Sequence, residues 1–248
     1  MPESLAGRAV LVTGGARRLG AAIARRLHAA GAGVLIHYRD SEADATKLVA
    51  ELNAARPKSA VKVKAELLAP IAPRALVGAA KDAFGRLDVL VNNASSFFPV
   101  PLGAIELSHW EELVGSNLRA PLFISQEAAP ELARQEGAII NIIDIHAERP
   151  LRGYPVYSIA KAGLAALTRS LAVELAPKVR VNGVAPGTIA WPDDGQFDPG
   201  ERDRILATTP LGRVGTPEDV AQAVHFLACA PYVTGQIVAV DGGRSIFL

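Results

Sequence analysis

Ala9-Val10-Leu11-Val12-Thr13-Gly14-Gly15-Ala16-Arg17-Arg18-Leu19-Gly20 runs from a short apolar segment, through a glycine turn, into a stretch of helical period from Ala21 to Ala30. So short an apolar run, ended by Thr-Gly-Gly, reads as a buried strand that hands the chain to a helix. The same unit recurs along the chain. Strands are expected at Ala9–Val12, Gly33–His37, Ala60–Val63, Leu87–Val91, Ala138–Ile143, Val179–Gly183 and Gln236–Val240. Helical stretches lie between them, among them Glu42–Ala55, Arg74–Phe84 and Tyr157–Leu175. Nearly continuous apolar strands imply burial on both faces, and alternation with helices implies parallel pairing. Right-handed crossovers then predict an α/β fold: one Rossmann-like, doubly wound domain over residues 1–248, with a seven-stranded parallel sheet and helices on both faces. Such folds bind ligands at the carboxyl ends of the strands, so site residues are sought just after Val12, Ile36, Val63, Val91, Ile143 and Val184.

Composition excludes several classes. Of 248 residues half are apolar and the net charge is +1, which leaves no electrostatic footprint for nucleic acid or an anionic membrane. The single cysteine, Cys229, excludes an intramolecular disulfide and a multi-cysteine metal site, and its apolar setting, Val224 to Cys229, reads as core. No metal is expected. Met1 to Gly7 is polar, and Ala9–Val12 is too short for a signal or a membrane span, so the cytoplasm is the expected compartment.

The glycine turn departs from the general dinucleotide pattern G-x-G-x-x-G, and Ala21-Ala22 stand where a P-loop needs Lys and Ser or Thr. It reads either as a plain tight turn or as a pyrophosphate cradle, in which glycines admit the phosphate and the next helix offers free N–H groups. The spacing of Thr13, Gly14, Arg18 and Gly20 resembles the T-G-x-x-x-G-x-G pattern of short-chain dehydrogenases/reductases. Arg18 replaces the middle glycine, as in the T-G-x-x-x-R-x-G variant of the pteridine reductase branch. The resemblance implies cofactor contacts by Gly14, Arg17, Arg18, Leu19 and Gly20, the plain alternative for the two arginines being solvated surface charge.

By family spacing Tyr38 takes the place where NAD enzymes carry a carboxylate for the ribose 2′-hydroxyl. Arg39 follows, with Arg17 and Ser41 as helpers, and a cation there suits the 2′-phosphate of NADPH (NADP). Asp40 would repel that phosphate and is expected to face solvent or pair with an arginine. Glu66-Leu67 stand where the family has Asp against adenine. Asn92-Asn93-Ala94 resembles the family's N-N-A-G, with Ser95 for Gly, so Asn93, Ala94 and Ser95 are expected along the cofactor, as are Pro186 and Gly187. Polar turn chemistry is the plain alternative for that segment.

In Tyr157-Ser158-Ile159-Ala160-Lys161 the phenol and the ammonium are four residues apart and share a helix face. A nearby cation favours phenolate, which predicts a tyrosine pKa below its usual ~10 and a proton donor near neutral pH. The resemblance now spans essentially the whole chain, through Gly115-Ser116-Asn117, Pro186-Gly187 and Val240-Asp241-Gly242-Gly243. It implies that Lys161 also binds the nicotinamide ribose and that Asn117 holds a water in a proton relay.

Most of the family carries Ser thirteen residues before the tyrosine, donating to a substrate oxygen, and this chain has Asp144 there. An ionised carboxylate accepts from N–H groups and orients a phenol, which suits reduction of a ring C=N bond. Asn92-Asn-Ala-Ser-Ser-Phe-Phe-Pro-Val-Pro-Leu102 and Pro150-Leu-Arg-Gly-Tyr154 also resemble the pteridine reductase branch. There Ser95 and Phe97 line the pterin site, Phe97 stacking on the ring, whereas the plain reading of Phe97 is core packing. The implied reaction is NADPH-dependent reduction of a 7,8-dihydropterin of the biopterin, monapterin or folate type, by Asp144, Tyr157, Lys161 and Asn117. A polar segment from Gly187 to Thr209 reads as a substrate-covering loop, where Trp191 either closes over the pterin or anchors the loop. A homotetramer is the family expectation. The alternatives are a short-chain carbonyl reductase or alcohol dehydrogenase and, from another class, a non-catalytic NADP-binding protein.

Overall fold

The computed structural model describes residues 4–190 and 198–247. Its elements in chain order are β1 (Ala9–Val12), α1 (Arg18–Ala29), β2 (Gly33–Tyr38), α2 (Glu42–Ala55), β3 (Ala60–Lys64), α3 (Ala72–Phe84) and β4 (Val89–Asn92). Then follow α4 (Leu107–Val114), α5 (Ala120–Arg134), β5 (Ala138–Ile142), α6 (Pro155–Glu174), β6 (Arg180–Pro186), α7 (Pro199–Ala207), α8 (Pro217–Cys229) and β7 (Ile237–Val240). The strands form one parallel sheet in the order β3-β2-β1-β4-β5-β6-β7. Strand order reverses between β1 and β4, which opens a crevice above their carboxyl ends.

Side-chain alternation along each strand feeds two cores. Val10, Val12, Val34, Ile36, Val89 and Val91 join residues of α1, α2 and α8 on one face. Leu11, Leu35, Leu90 and Ile139 join residues of α3 and α5 on the other. This two-sided burial is why the central strands read as unbroken apolar runs. It does not extend to the edges, where β3 and β7 are largely half-buried, because an edge strand has a neighbour on one side only. A buried polar chain crosses the sheet beneath the crevice. Asn92 Nδ2 donates to Asn141 Oδ1 at 2.8 Å, and Asn141 Nδ2 donates to Thr168 Oγ1 at 2.9 Å, tying β4 and β5 to α6.

Three elements refine the sequence reading. α1 begins at Arg18, three residues before the expected start, so the last part of the glycine turn is already helix. β6 runs on to Pro186, because it pairs with β7 along Gly183 to Pro186. The expected loop from Gly187 to Thr209 contains helix α7: Asp198 accepts from Glu201 N at 2.8 Å, Glu201 reciprocates, and Pro199 opens the first turn. Trp191, assigned to this loop, lies outside the described residues. α8 carries the same signature in Thr216, which accepts from Asp219 N. Thr216→Ala is expected to cost about 1 kcal/mol, read as a lower melting temperature, as for caps in general.

Candidate active site

A cleft of ≈ 530 Å³ opens above the carboxyl ends of β1, β2, β4 and β5, and the expected cofactor residues from Gly14 to Gly187 line it. Its floor is the glycine turn. Gly14 has φ +59°, and Arg18, at φ +47°, supplies a second left-handed residue to the turn. No side chain caps α1, and its first residues, Arg18 to Gly20, line the cleft, the arrangement in which a helix N-terminus can receive an anion. The turn is held by the segment after β4. Thr13 Oγ1 accepts from Asn93 N at 2.9 Å and Ala94 N at 3.1 Å, while Asn93 Nδ2 donates to Thr13 O at 2.9 Å and Gly14 O at 3.0 Å.

Gly20 packs against that clamp. A Cβ there would lie 2.7 Å from Asn93 Nδ2, 2.9 Å from Gly15 Cα and closer still to Gly14 O. Two of the three obstacles are backbone and cannot swing away. Gly20→Ala is therefore expected to destabilise the protein by about 1–3 kcal/mol and to weaken dinucleotide binding, read by thermal melting and fluorescence titration. A melting temperature equal to the wild type would refute the clamp.

At the other end of the cleft Tyr38 is buried, and its hydroxyl donates to Glu42 Oε1 at 3.1 Å. Arg39 is half-exposed among carboxylates: Nε lies 2.8 Å from Asp40 Oδ2, and Nη1 lies 3.5 Å from Glu112 and 4.0 Å from Glu66. Asp40 thus pairs with an arginine, one of its two expected settings. Arg17 pairs with Asp44 at 3.4 Å on the surface. Ser41 begins α2 with its hydroxyl making no capping bond.

Tyr157 and Lys161 stand on the first turns of α6, four residues apart and both almost fully buried. Asp144, just after β5, accepts from His146 N through Oδ1 at 2.8 Å and from Tyr157 Oη through Oδ2 at 2.8 Å. Lys161 Nζ donates to Ile142 O at 2.9 Å and lies 5.7 Å from the Tyr157 ring centroid. This arrangement overturns the expected direction of the tyrosine pKa. Burial, then the charge of Asp144 and the hydrogen bond to it, push the Tyr157 phenol well above the ordinary value. Lys161 is itself pulled down to about 8 by burial, partly offset by Asp144. Tyr157 is a neutral phenol that donates to a carboxylate.

Phe97 lies in the cleft wall, 37% exposed, so it is not core. It stacks on Tyr154 at 4.7 Å and 11° and meets Tyr157 in a T-shaped contact at 4.8 Å and 73°. Asn117 is fully buried in a π turn, Gly115–Arg119, between α4 and α5. It holds the turn that carries Phe97: its Oδ1 accepts from Ser95 Oγ at 2.7 Å, and its Nδ2 donates to Ser96 O and Leu113 O at 2.9 Å. Ser96 in turn donates to Glu112, the same residue that pairs with Arg39.

Glu112 and Ser116 line the cleft without having been expected there. Their nearness to Asn117 in Glu112-Leu-Val-Gly-Ser-Asn117 was the available signal. His37 is a third such residue; it touches the glycine turn from below, and its signal was a lone histidine closing an apolar strand.

The sequence model of the family described as Enoyl-(Acyl carrier protein) reductase matches residues 14–245. Pteridine reductase 1 of Leishmania tarentolae is 41% identical over 289 aligned positions, covering 99% of each chain. A putative ketoacyl reductase 2 of the granaticin polyketide synthase of Streptomyces violaceoruber is 38% identical, covering 95% of each. 3beta-Hydroxysteroid dehydrogenase 1 of Eggerthella lenta is 35% identical over 100% of this chain and 97% of its own.

Proposed function

The chain belongs to the short-chain dehydrogenase/reductase family, and from that premise we propose that it reduces a 7,8-dihydropterin to the tetrahydropterin with NADPH. The observation that carries this reading is the 2.8 Å bond from Tyr157 Oη to Asp144 beside the partly exposed Phe97. A carboxylate in this slot cannot donate to a carbonyl oxygen as a serine would. It accepts from the N–H groups that a pterin edge presents, while Phe97 offers a flat apolar surface to the ring.

The residues present fit a nicotinamide dinucleotide: an uncapped helix N-terminus, a left-handed Gly14 and a cleft lined at one end by Arg39. Gly14, Arg18, Leu19 and Gly20 would hold the pyrophosphate, and Arg39 with Arg17 and Ser41 the 2′-phosphate. Arg39 would then exchange Asp40 and Glu112 for that phosphate. Tyr38, Glu66 and Leu67 would flank the adenosine half, and Asn93, Ala94, Pro186, Gly187 and Lys161 the nicotinamide half. When bound, the cofactor supplies the hydride that reaches C6 of the pterin.

The protein's own residues handle the proton. Tyr157 gives its hydroxyl proton to N5, and its high proton affinity keeps it protonated until the ring nitrogen becomes strongly basic. Asp144 aims that hydroxyl, and the Lys161 ammonium stabilises the phenolate left behind. Ser95 and Phe97, held by Asn117, position the ring. In the assembly the family resemblance implies, a cytoplasmic homotetramer, the exposed Phe123 on α5 and Ile159 on α6 would be covered.

The test is NADPH consumption by the purified protein with 7,8-dihydrobiopterin, repeated with NADH and with a simple ketone. Turnover of the pterin and not the ketone supports the reading. Turnover of the ketone alone would demote the protein to a carbonyl reductase.

The pH dependence follows from Lys161. Its pKa of about 8 means that the ammonium is present below that pH and lost above it. Since kcat/KM reports groups of the free enzyme, kcat/KM for NADPH is expected to fall as pH rises through about 8, by about tenfold per unit. A flat profile to pH ~10, the ordinary lysine range, would remove the ammonium from the mechanism.

A further inference from the structure

His37, next to last in β2, is 2% exposed, and both its ring nitrogens are engaged. Gly14 N donates to Nδ1 at 3.0 Å, and Nε2 lies 3.0 Å from Ala65 O. Because Nδ1 accepts, it carries no proton, so Nε2 holds the single ring proton and donates it to the Ala65 carbonyl. Both contacts thus require the neutral imidazole in one tautomer. Burial, the strongest influence on this ring, favours the neutral form against the opposing pull of the Ala65 carbonyl and the Glu66 charge.

The two partners belong to two different segments that line the cleft. Gly14 begins the glycine turn, and the His37 carbonyl also accepts from Gly15 N at 2.9 Å, so one residue anchors two successive N–H groups of the turn. Ala65 immediately precedes Glu66 and Leu67, which also line the cleft. Gly14 is further confined by Ala94, whose Cα would lie 3.0 Å from any Cβ added there.

We infer that His37 is a positioning residue for the dinucleotide: it sets the separation of the Gly14 turn and the Ala65–Leu67 loop, between which the adenosine half binds. The inference rests on the cofactor reading above. His37 lines the cleft beneath the turn, and its ring is engaged by Gly14 and Ala65, while the end of the cleft at Tyr157 is built from other elements.

The test compares three variants by fluorescence titration with NADPH and by steady-state kinetics. His37→Leu removes both contacts and is expected to raise Kd and KM for NADPH about tenfold or more, as for loss of one or two buried hydrogen bonds, with the loss absent from kcat at saturating NADPH. His37→Asn keeps an acceptor near the Nδ1 position and is expected to recover most of the affinity. His37→Gln keeps a donor near Nε2 but leaves Gly14 N–H unsatisfied, and is expected to bind weakly. Should His37→Leu not fold, the Asn and Gln pair decides. Equal affinity in those two, or a folded His37→Leu with unchanged Kd, would overturn the inference. So would a fall in kcat and melting temperature with Kd intact, which is what a purely structural histidine produces. Titration of the wild type separates this from failure of the cofactor reading: a wild type that binds neither NADPH nor NADH overturns both.

Discussion

Tyr157→Phe is expected to retain NADPH binding while losing about 10²–10⁴-fold in kcat for dihydropterin reduction, the range that a positioned general acid contributes. The substitution removes one oxygen from a buried ring whose edge contact with Phe97 and packing beside Val156 and Leu113 stay in place. What it deletes is the hydrogen bond to Asp144 and with it the proton that the proposed mechanism delivers to the ring nitrogen. Single-turnover kinetics with saturating NADPH isolate the chemical step. Turnover within a few-fold of the wild type would mean that water or another residue delivers the proton, and the assignment of Tyr157 would fall.

Asp144→Ser has the second large effect, and its signature is a change of preference. Dihydropterin turnover is expected to drop about 10–10²-fold, the equivalent of one hydrogen bond to a charged group, while turnover of a simple ketone rises. The fold should tolerate the change. Asp144 caps the short 3₁₀ turn Ile145–Ala147 through His146 N, and serine caps such turns about as well. Two effects combine at the site. The substrate loses a carboxylate acceptor and gains a hydroxyl donor suited to a carbonyl oxygen. Tyr157 also loses the charge and the hydrogen bond that, after burial, hold its proton most strongly, so its pKa is expected to fall. The ratio of kcat/KM for pterin to that for ketone, wild type against variant, reads both. Unchanged pterin turnover would remove Asp144 from the mechanism.

Both predictions depend on residues legible in the sequence joined by a contact that was not. Tyr157 and Lys161 are four apart on one helix, and helical geometry alone puts them on one face. Gly14 and Gly20 follow an apolar run and open a helix, which is enough to mark a candidate anion site. The central strands were legible because burial on both faces leaves almost no polar positions in them, and the edge strands β3 and β7 were recognisable as strands although their burial was overestimated. Helix α7 was missed because the segment around it is polar and rich in proline. Its one clear signal, Asp198-Pro199 followed by Glu201, is a start signal without an apolar stripe behind it: no described residue of α7 is buried.

The sequence by itself therefore determined the order of the strands and most of the helices, the position of the glycine turn and the candidate pair Tyr157 and Lys161. Each of these is set by residues close together in the chain, where period and spacing carry the information. Only the tertiary structure decided the state of those groups. Tyr157 is held protonated by burial and by Asp144 just beyond β5, Arg39 is held by Glu112 from α4, and His37 is fixed in one tautomer by Gly14 and Ala65. Proton affinity and charge pairing depend on burial and through-space distance, and those quantities arise only when segments far apart in the chain are packed against one another.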